Sequence, residues 1–209
     1  MRKVILQEFI TLDGLAAGPN NSVDFVPNAT KGDQSFGREQ MKLMDTIDTI
    51  LLGSVTYGLF VGYWPNVNEG EEKTFADMLN TTPKIVFSKK LKRAPWGKWD
   101  EAKVVNHSAV DEVAKLKQQA GKNMVIWGSI AVAQSLMKAK LIDEFRLVVC
   151  PVALGNGRAL FHEVGKNEMR LVEAKTFDRG AVLLNYAAGK VQSSEKEMSE
   201  PIGDRRHVA

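Results

Sequence analysis

Residues 124–152 read MVIWGSIAVAQSLMKAKLIDEFRLVVCPV, and the reading of this stretch decides the fold class. Met124-Val125-Ile126-Trp127 is a short apolar run, the pattern of a strand buried on both faces. Gly128 interrupts it, and Ser129 stands where a hydroxyl can cap the start of a helix. Ile130, Ala133, Leu136 and Met137 then recur at helical spacing, and Ile142 to Val152 reads as a second strand. Strand, helix and strand within roughly 30 residues form one parallel crossover unit.

The same alternation extends upstream. Val110, Val113, Ala114 and Leu116 mark a helix ending near Gly121, preceded by a short strand at Lys103 to Val105. Lys84 to Ser88 is a strand bounded by Pro83 and Lys89-Lys90, and Glu71 to Leu79 reads as the polar helix before it. Asp48 to Leu52 is an apolar strand ending at Gly53, after a helix over Phe36 to Met44 with Met41 and Met44 on one face. The first strand, Lys3 to Ile10, is expected to be buried on both faces, although Gln7 and Glu8 interrupt it; a Gly, Pro and Asn loop follows through Asn21. Downstream, Met169 to Phe177 and Ala181 to Tyr186 flank Asp178-Arg179-Gly180 as a hairpin. The expectation is an α/β protein with a mostly parallel sheet and an antiparallel C-terminal edge. One domain spans 1–189. Residues 190–209 are polar, with little apolar material to pack, and are expected to be a disordered tail.

Composition bounds the function. The chain has 209 residues, 44% hydrophobic and 25% charged, enough to bury a full core without metal or disulfide staples. Its net charge is +3, with the basic residues scattered, so nothing argues for a nucleic-acid partner. Cys150 has no partner for a disulfide and lies in an apolar run, as expected of a buried thiol in a reducing cytoplasm. The N-terminus lacks the h-region of a secretory signal. Thr49 to Asn68 is free of charge but carries Gly53, Gly58, Gly62 and Pro65, so it reads as buried strand plus turn, with no membrane span expected.

Several chemistries drop out. His107, His162 and His207 are isolated and the single Cys has no neighbour at ligand spacing, so no metal site is expected. No nucleophile elbow and no Walker loop is present. Gly155-Asn156-Gly157-Arg158 comes nearest to a dinucleotide fingerprint, but Leu160 stands where a small residue belongs. What recurs is a strand ending in small or hydroxylic residues: Gly53-Ser54-Val55-Thr56, Ser88-Lys89-Lys90 and Gly128-Ser129. In an open α/β sheet ligands bind at the carboxyl ends of strands, where helix N-termini offer N–H groups to phosphate. A phosphate-bearing cofactor suits these turns, although each is also an ordinary cap or turn.

Taken in order, Thr11-Leu12-Asp13-Gly14, Leu51 to Tyr57, Val86-Phe87-Ser88-Lys89, Ile126-Trp127-Gly128-Ser129, and Leu141 to Phe145 through Pro151 to Gly157 resemble the dihydrofolate-reductase-like family that includes the C-terminal reductase domain of riboflavin biosynthesis. The likeness runs from Met1 to about Ala188 and is greatest to stand-alone bacterial members. It implies a three-layer fold binding NADPH across the strand ends. Gly53, Ser54 and Thr56 would meet phosphates, and Ser88 and Lys89 would lie on the adenosine side. Gly128, Ser129 and Ile130 would place backbone N–H groups at the pyrophosphate, and Asp13 and Gly14 would stand beside the nicotinamide and substrate. The chain departs from the family in having Ser54 where Arg is usual and Gly128-Ser129 where Gly-Gly is usual; Lys89 or Lys90 could replace the Arg at a 2′-phosphate.

Hydride transfer needs alignment and one acid more than it needs a triad. Asp13 has the best position for that acid, with an Asp-Gly turn as the structural alternative; Asp33 and Glu39 are further candidates, with a solvated helix surface as theirs. Of Trp64, Trp96, Trp99 and Trp127, Trp64 is the one expected to line a flat substrate's pocket. The resulting expectation is a cytoplasmic NADPH-dependent reductase of a small heterocycle, such as a pteridine or ribosylated pyrimidine, and a possible homodimer. A nucleotide- or pterin-binding protein of the same fold, without turnover, is the alternative.

Overall fold

The protein is described here from a computed structural model covering residues 1–189. The expected polar tail, 190–209, lies outside the described residues. The central strand β1 (Val4–Thr11) is buried along most of its length, as a strand with parallel neighbours on both sides must be. A turn over residues 12–14 leads to β2 (Leu15–Ala17), then α1 (Phe25–Thr30) and α2 (Gln34–Thr46). Next come β3 (Ile47–Gly53), α3 (Ser54–Tyr63), α4 (Lys73–Thr81), β4 (Lys84–Phe87) and β5 (Lys103–Val105). α5 (Ala109–Lys117), β6 (Asn123–Trp127), α6 (Ile130–Lys138) and β7 (Glu144–Cys150) complete the alternating part. β8 (Arg158–Ala159) pairs with β2, and β9 (Met169–Thr176) and β10 (Val182–Ala188) form the terminal hairpin.

The main sheet has eight strands in the order β5-β4-β3-β6-β1-β7-β10-β9. β5 through β7 are mutually parallel, whereas β10 runs antiparallel to both β7 and β9. Period-two alternation sends opposite sets of side chains to the two faces. Leu6 and Ile10 join Val113 and Leu116 of α5 and Ile130, Ala133 and Leu136 of α6. Ile5, Ile50 and Leu52 join Leu43 and Met44 of α2, Tyr57 of α3 and Leu79 of α4. The result is the expected three-layer, dihydrofolate-reductase-like α/β fold with a mostly parallel sheet and an antiparallel C-terminal hairpin.

Three local expectations are corrected. The charge-free run from Thr49 is strand plus helix, not strand plus turn: α3 occupies Ser54–Tyr63. Gly58 and Gly62 argue against a helix by propensity, but both lie on its open side, with nothing within 4 Å of an added Cβ, while Tyr57 packs inward. Ser129 stands at the N-cap of α6 without capping it by its side chain, because its backbone is left-handed at φ 60°, ψ 45°. Asp33 and Glu39 are both 6% exposed, so neither belongs to a solvated helix surface.

Candidate functional site

The helices after β3 and β6 leave the sheet on opposite faces: α3 packs with α2 and α4, and α6 packs with α5. β3 and β6 are neighbours, so the chain divides above and below the sheet at their carboxyl ends, the kind of switch point at which open α/β sheets hold ligands. Gly53 ends β3, and Gly128-Ser129 follows β6, so both groups come to this switch point from sequence positions about 75 apart. Neither α3 nor α6 has a side-chain cap at its N-terminus, in contrast to α2 and α5, which are capped by Asp33 and Ser108. Their first-turn amides therefore keep the partial positive charge that attracts anions.

Hydrogen bonds bind the two strand ends together. The Gly53 N–H donates to Ser129 Oγ at 2.8 Å, and that hydroxyl donates to the Trp127 carbonyl at 3.0 Å. The Ser129 N–H donates to Thr56 Oγ1 at 2.9 Å. Gly128 has φ 54°, and a Cβ there would stand 3.3 Å from both Thr56 Cγ2 and Oγ1, so a larger residue would press on α3. Phe87 pairs in register with Gly53, so Ser88-Lys89 and Ser54 follow adjacent strand ends at the carboxyl end of the sheet. Ser88 Oγ accepts the Leu91 N–H at 3.1 Å, holding the turn, while Lys89 and Ser54 are exposed. Gly53, Ser54, Thr56, Ser88, Lys89, Gly128, Ser129 and Ile130 are thus one spatial group.

Asp13 and Gly14 lie one strand away, at the end of β1. The Asp13 carboxylate accepts a hydrogen bond from the Thr11 hydroxyl and N–H groups from Gly155 at 2.7 Å and Leu154 at 3.3 Å. The Thr11 hydroxyl first, and the Gly155 N–H after it, hold this carboxyl below the usual carboxylate range. Gly14 takes φ 77° in the turn, and its carbonyl accepts the Leu160 N–H at 3.2 Å.

Glu39 is not brought to this group. From α2 it faces Arg146 Nη2 at 2.9 Å and Lys175 Nζ at 2.8 Å, with Gln7 and Gln40 alongside at 2.5 Å from each other. Burial pushes its carboxyl up, but the Lys175 and Arg146 cations outweigh that and hold it below its ordinary value. Trp64 ends α3 inside an aromatic cluster: its ring lies 5.1 Å from Phe75, which lies 5.7 Å from Trp127.

One acid escaped the sequence reading as a site residue. Glu8 lies on β1, 4% exposed, with Oε1 accepting the Phe9 N–H at 3.2 Å and Oε2 enclosed without a partner. Burial pushes its carboxyl up to about 8, with the Phe9 N–H acting weakly in the other direction. The available signal was a carboxylate inside an otherwise apolar central strand, which is costly unless it has a task.

With this geometry in hand, comparison with known proteins is decisive for the family. The model of the RibD C-terminal domain matches residues 2–183. The chain belongs to the RibD C-terminal domain family. Uncharacterized protein YyaP of Bacillus subtilis is 31% identical over 188 residues, covering 88% of this chain and 94% of YyaP. Among solved structures, a Shewanella sp. PV-4 protein ascribed to riboflavin biosynthesis superposes with TM-score 0.69 at 22% identity, covering 90% of this chain and 99% of that one. Dihydrofolate reductase from Enterococcus faecalis, solved with NADP(H), superposes with TM-score 0.57 at 16% identity, covering 90% and 97%. These two share the fold with this RibD C-terminal family member. Among the described residues no helix is long and apolar enough to cross a membrane.

Proposed function

We propose that this RibD C-terminal family member is an NADPH-dependent reductase of a small heterocycle, such as a pteridine or a ribosylated pyrimidine. The observation that carries the reading is the meeting of two uncapped helix N-termini, α3 and α6, at the β3/β6 switch point. A pyrophosphate fits such a place by charge and by hydrogen bonding. Gly53 and Gly128 let α3 and α6 approach each other closely at the strand ends, and Thr56 and Ser129 hold those ends in register. Exposed Lys89, past the strand end next to that of Ser54, would neutralise a 2′-phosphate in the absence of the usual Arg. NADPH would supply the hydride, and the chain's own contribution is to align the reactants and keep water out. Asp13, held ionised, would serve the reaction by charge and by positioning Gly155, whereas Glu39, bound to Arg146 and Lys175 away from this group, would hold the sheet and α2 together. Gly14 would border the substrate and Trp64 would support its wall through Phe75.

The internal use of the Ser129 N–H by Thr56 favours a second reading, a nucleotide- or pterin-binding protein without turnover, because one donor is withdrawn from the phosphates. Titration with NADPH and NADH, followed by tryptophan fluorescence and calorimetry, tests both. Micromolar NADPH binding, weaker NADH binding and oxidation of NADPH in the presence of a pterin or pyrimidine acceptor are expected. Binding without oxidation across such acceptors would select the second reading, and binding of neither dinucleotide would end the first.

A further inference from the structure

On β1 the Val4 carbonyl accepts from the Asp143 N–H at 2.9 Å, and the Leu12 N–H donates to the Val152 carbonyl at 2.8 Å. Even-numbered residues therefore turn their backbone groups toward β7 and odd-numbered ones toward β6. Pairing with β6 stops at Gln7 opposite Trp127, after which left-handed Gly128 and Ser129 carry the chain away. Phe9 is the next odd-numbered residue. Its N–H and C=O consequently point into the space that β6 vacates, and the N–H is met by Glu8 Oε1. Glu8 itself is the first residue of β1 past the last β6 pair, on the face of Leu6 and Ile10, and opposite Leu147 of β7. Among the described residues its Oε2 is the only enclosed carboxylate oxygen without a partner.

An apolar side chain would fill this position at no desolvation cost, whereas a buried carboxyl group with one oxygen unpaired is expensive. Such a group persists where a bound molecule completes it. A protonated carboxyl group presents one O–H donor beside one acceptor, the complement of an amide edge. We propose that Glu8, whose Oε1 already takes the Phe9 N–H, reads through its free Oε2 an amide edge of a heterocycle lodged past the end of β6. The inference rests on the nucleotide-crevice reading. The amide has two possible sources, the carboxamide of a nicotinamide or the ring amide of a pteridine or pyrimidine.

Calorimetric titration of the wild type, Glu8→Leu and Glu8→Gln with NADPH, 2′-phospho-ADP-ribose and pterin separates these. Glu8→Leu is expected to lose at least about tenfold in affinity for the amide-bearing probe while melting no lower than wild type. Glu8→Gln, which keeps a donor and an acceptor, stays within about threefold. Binding of 2′-phospho-ADP-ribose, which lacks the nicotinamide, is unchanged in both. A loss confined to NADPH assigns the carboxamide, and a loss confined to pterin assigns the ring amide. The infrared carbonyl band of a protonated carboxyl group, absent in Glu8→Gln, should shift when that probe is added to wild type. Equal affinities of Glu8→Leu and wild type for NADPH and pterin overturn the proposal and leave the crevice reading standing if 2′-phospho-ADP-ribose binds. Failure of wild type to bind any of the three overturns both.

Discussion

Glu8 carries a direct consequence for stability at the residue scale. Its carboxyl is raised from an ordinary 4.5 to about 8 in the folded chain, so the native state holds a proton that the unfolded state has already released across that interval. The associated stability is fully present below about pH 4.5 and is lost as pH rises through about 8. Chemical denaturation from pH 5 to 8.5 should show wild type losing a few kcal/mol relative to Glu8→Gln, an order-of-magnitude figure from the size of the shift. Parallel curves for the two proteins would mean that Glu8 is ionised and solvated. Gly128 offers a second residue-scale test. Its φ of 54° and the 3.3 Å approach of an added Cβ to Thr56 predict that Gly128→Asp weakens NADPH binding by more than about tenfold, through strain, clash and negative charge at the phosphate position. Ser54→Arg should act in the opposite direction and raise the NADPH over NADH preference, since it adds a guanidinium at the end of β3 for a 2′-phosphate. Unchanged titrations in both variants would place the phosphates elsewhere.

At the scale of elements, α2 and the terminal hairpin are joined through two carboxylates, Glu39 to Lys175 and Asp33 to the turn. Asp33 Oδ1 accepts the Phe36 N–H at 2.9 Å as the N-cap of α2, while Oδ2 accepts the Arg179 N–H at 2.9 Å from the turn between β9 and β10. Burial raises this carboxyl, but the Ser35 hydroxyl and the Phe36 and Arg179 amides outweigh it and hold it low. Asp33→Ala removes a cap and strands an amide, and should cost roughly 2 kcal/mol by urea denaturation, with Asp33→Asn recovering part of the loss. No loss in the Ala variant would show that the hairpin docks without it. The elements also differ in how readable they were. β3, β4, β6 and β7 announced themselves as apolar runs bounded by Gly, Pro or charge, because a strand buried in a sheet has little choice of residue, whereas the exposed edge strand β9 was marked by its hairpin turn. α3 did not, since its apolar residues run all round and give no single stripe; exposed Val55, Leu59 and Tyr63 sit opposite buried Thr56 and Tyr57. The six-residue α1 and the short β2 and β8 offer too few residues for any period to appear.

For the whole molecule, a ligand that binds only the folded state stabilises it by mass action. NADPH at about 100 times its dissociation constant should add about 2.7 kcal/mol and raise Tm by roughly 5–10 °C for a chain of this size. A scanning calorimetry trace unmoved by NADPH at millimolar concentration would argue against the crevice as its site. The sequence by itself determined the alternation of strands and helices, the antiparallel ending and the ordered turn motifs that mark the RibD C-terminal family, because these depend on local period, capping chemistry and short spacing. Only the tertiary structure decided which turns meet. Gly53 and Ser129 become neighbours because β3 and β6 pair in parallel up to Leu51 and Ile126, and chain distance carries no trace of that. It also decided which way the carboxylates are pushed: Glu39 found Arg146 and Lys175, which hold its carboxyl low, whereas Glu8 found an apolar face and one backbone N–H, and burial pushes its carboxyl up. A carboxyl group's ionisation is set by what surrounds it after folding, and those surroundings come from residues far away in the chain.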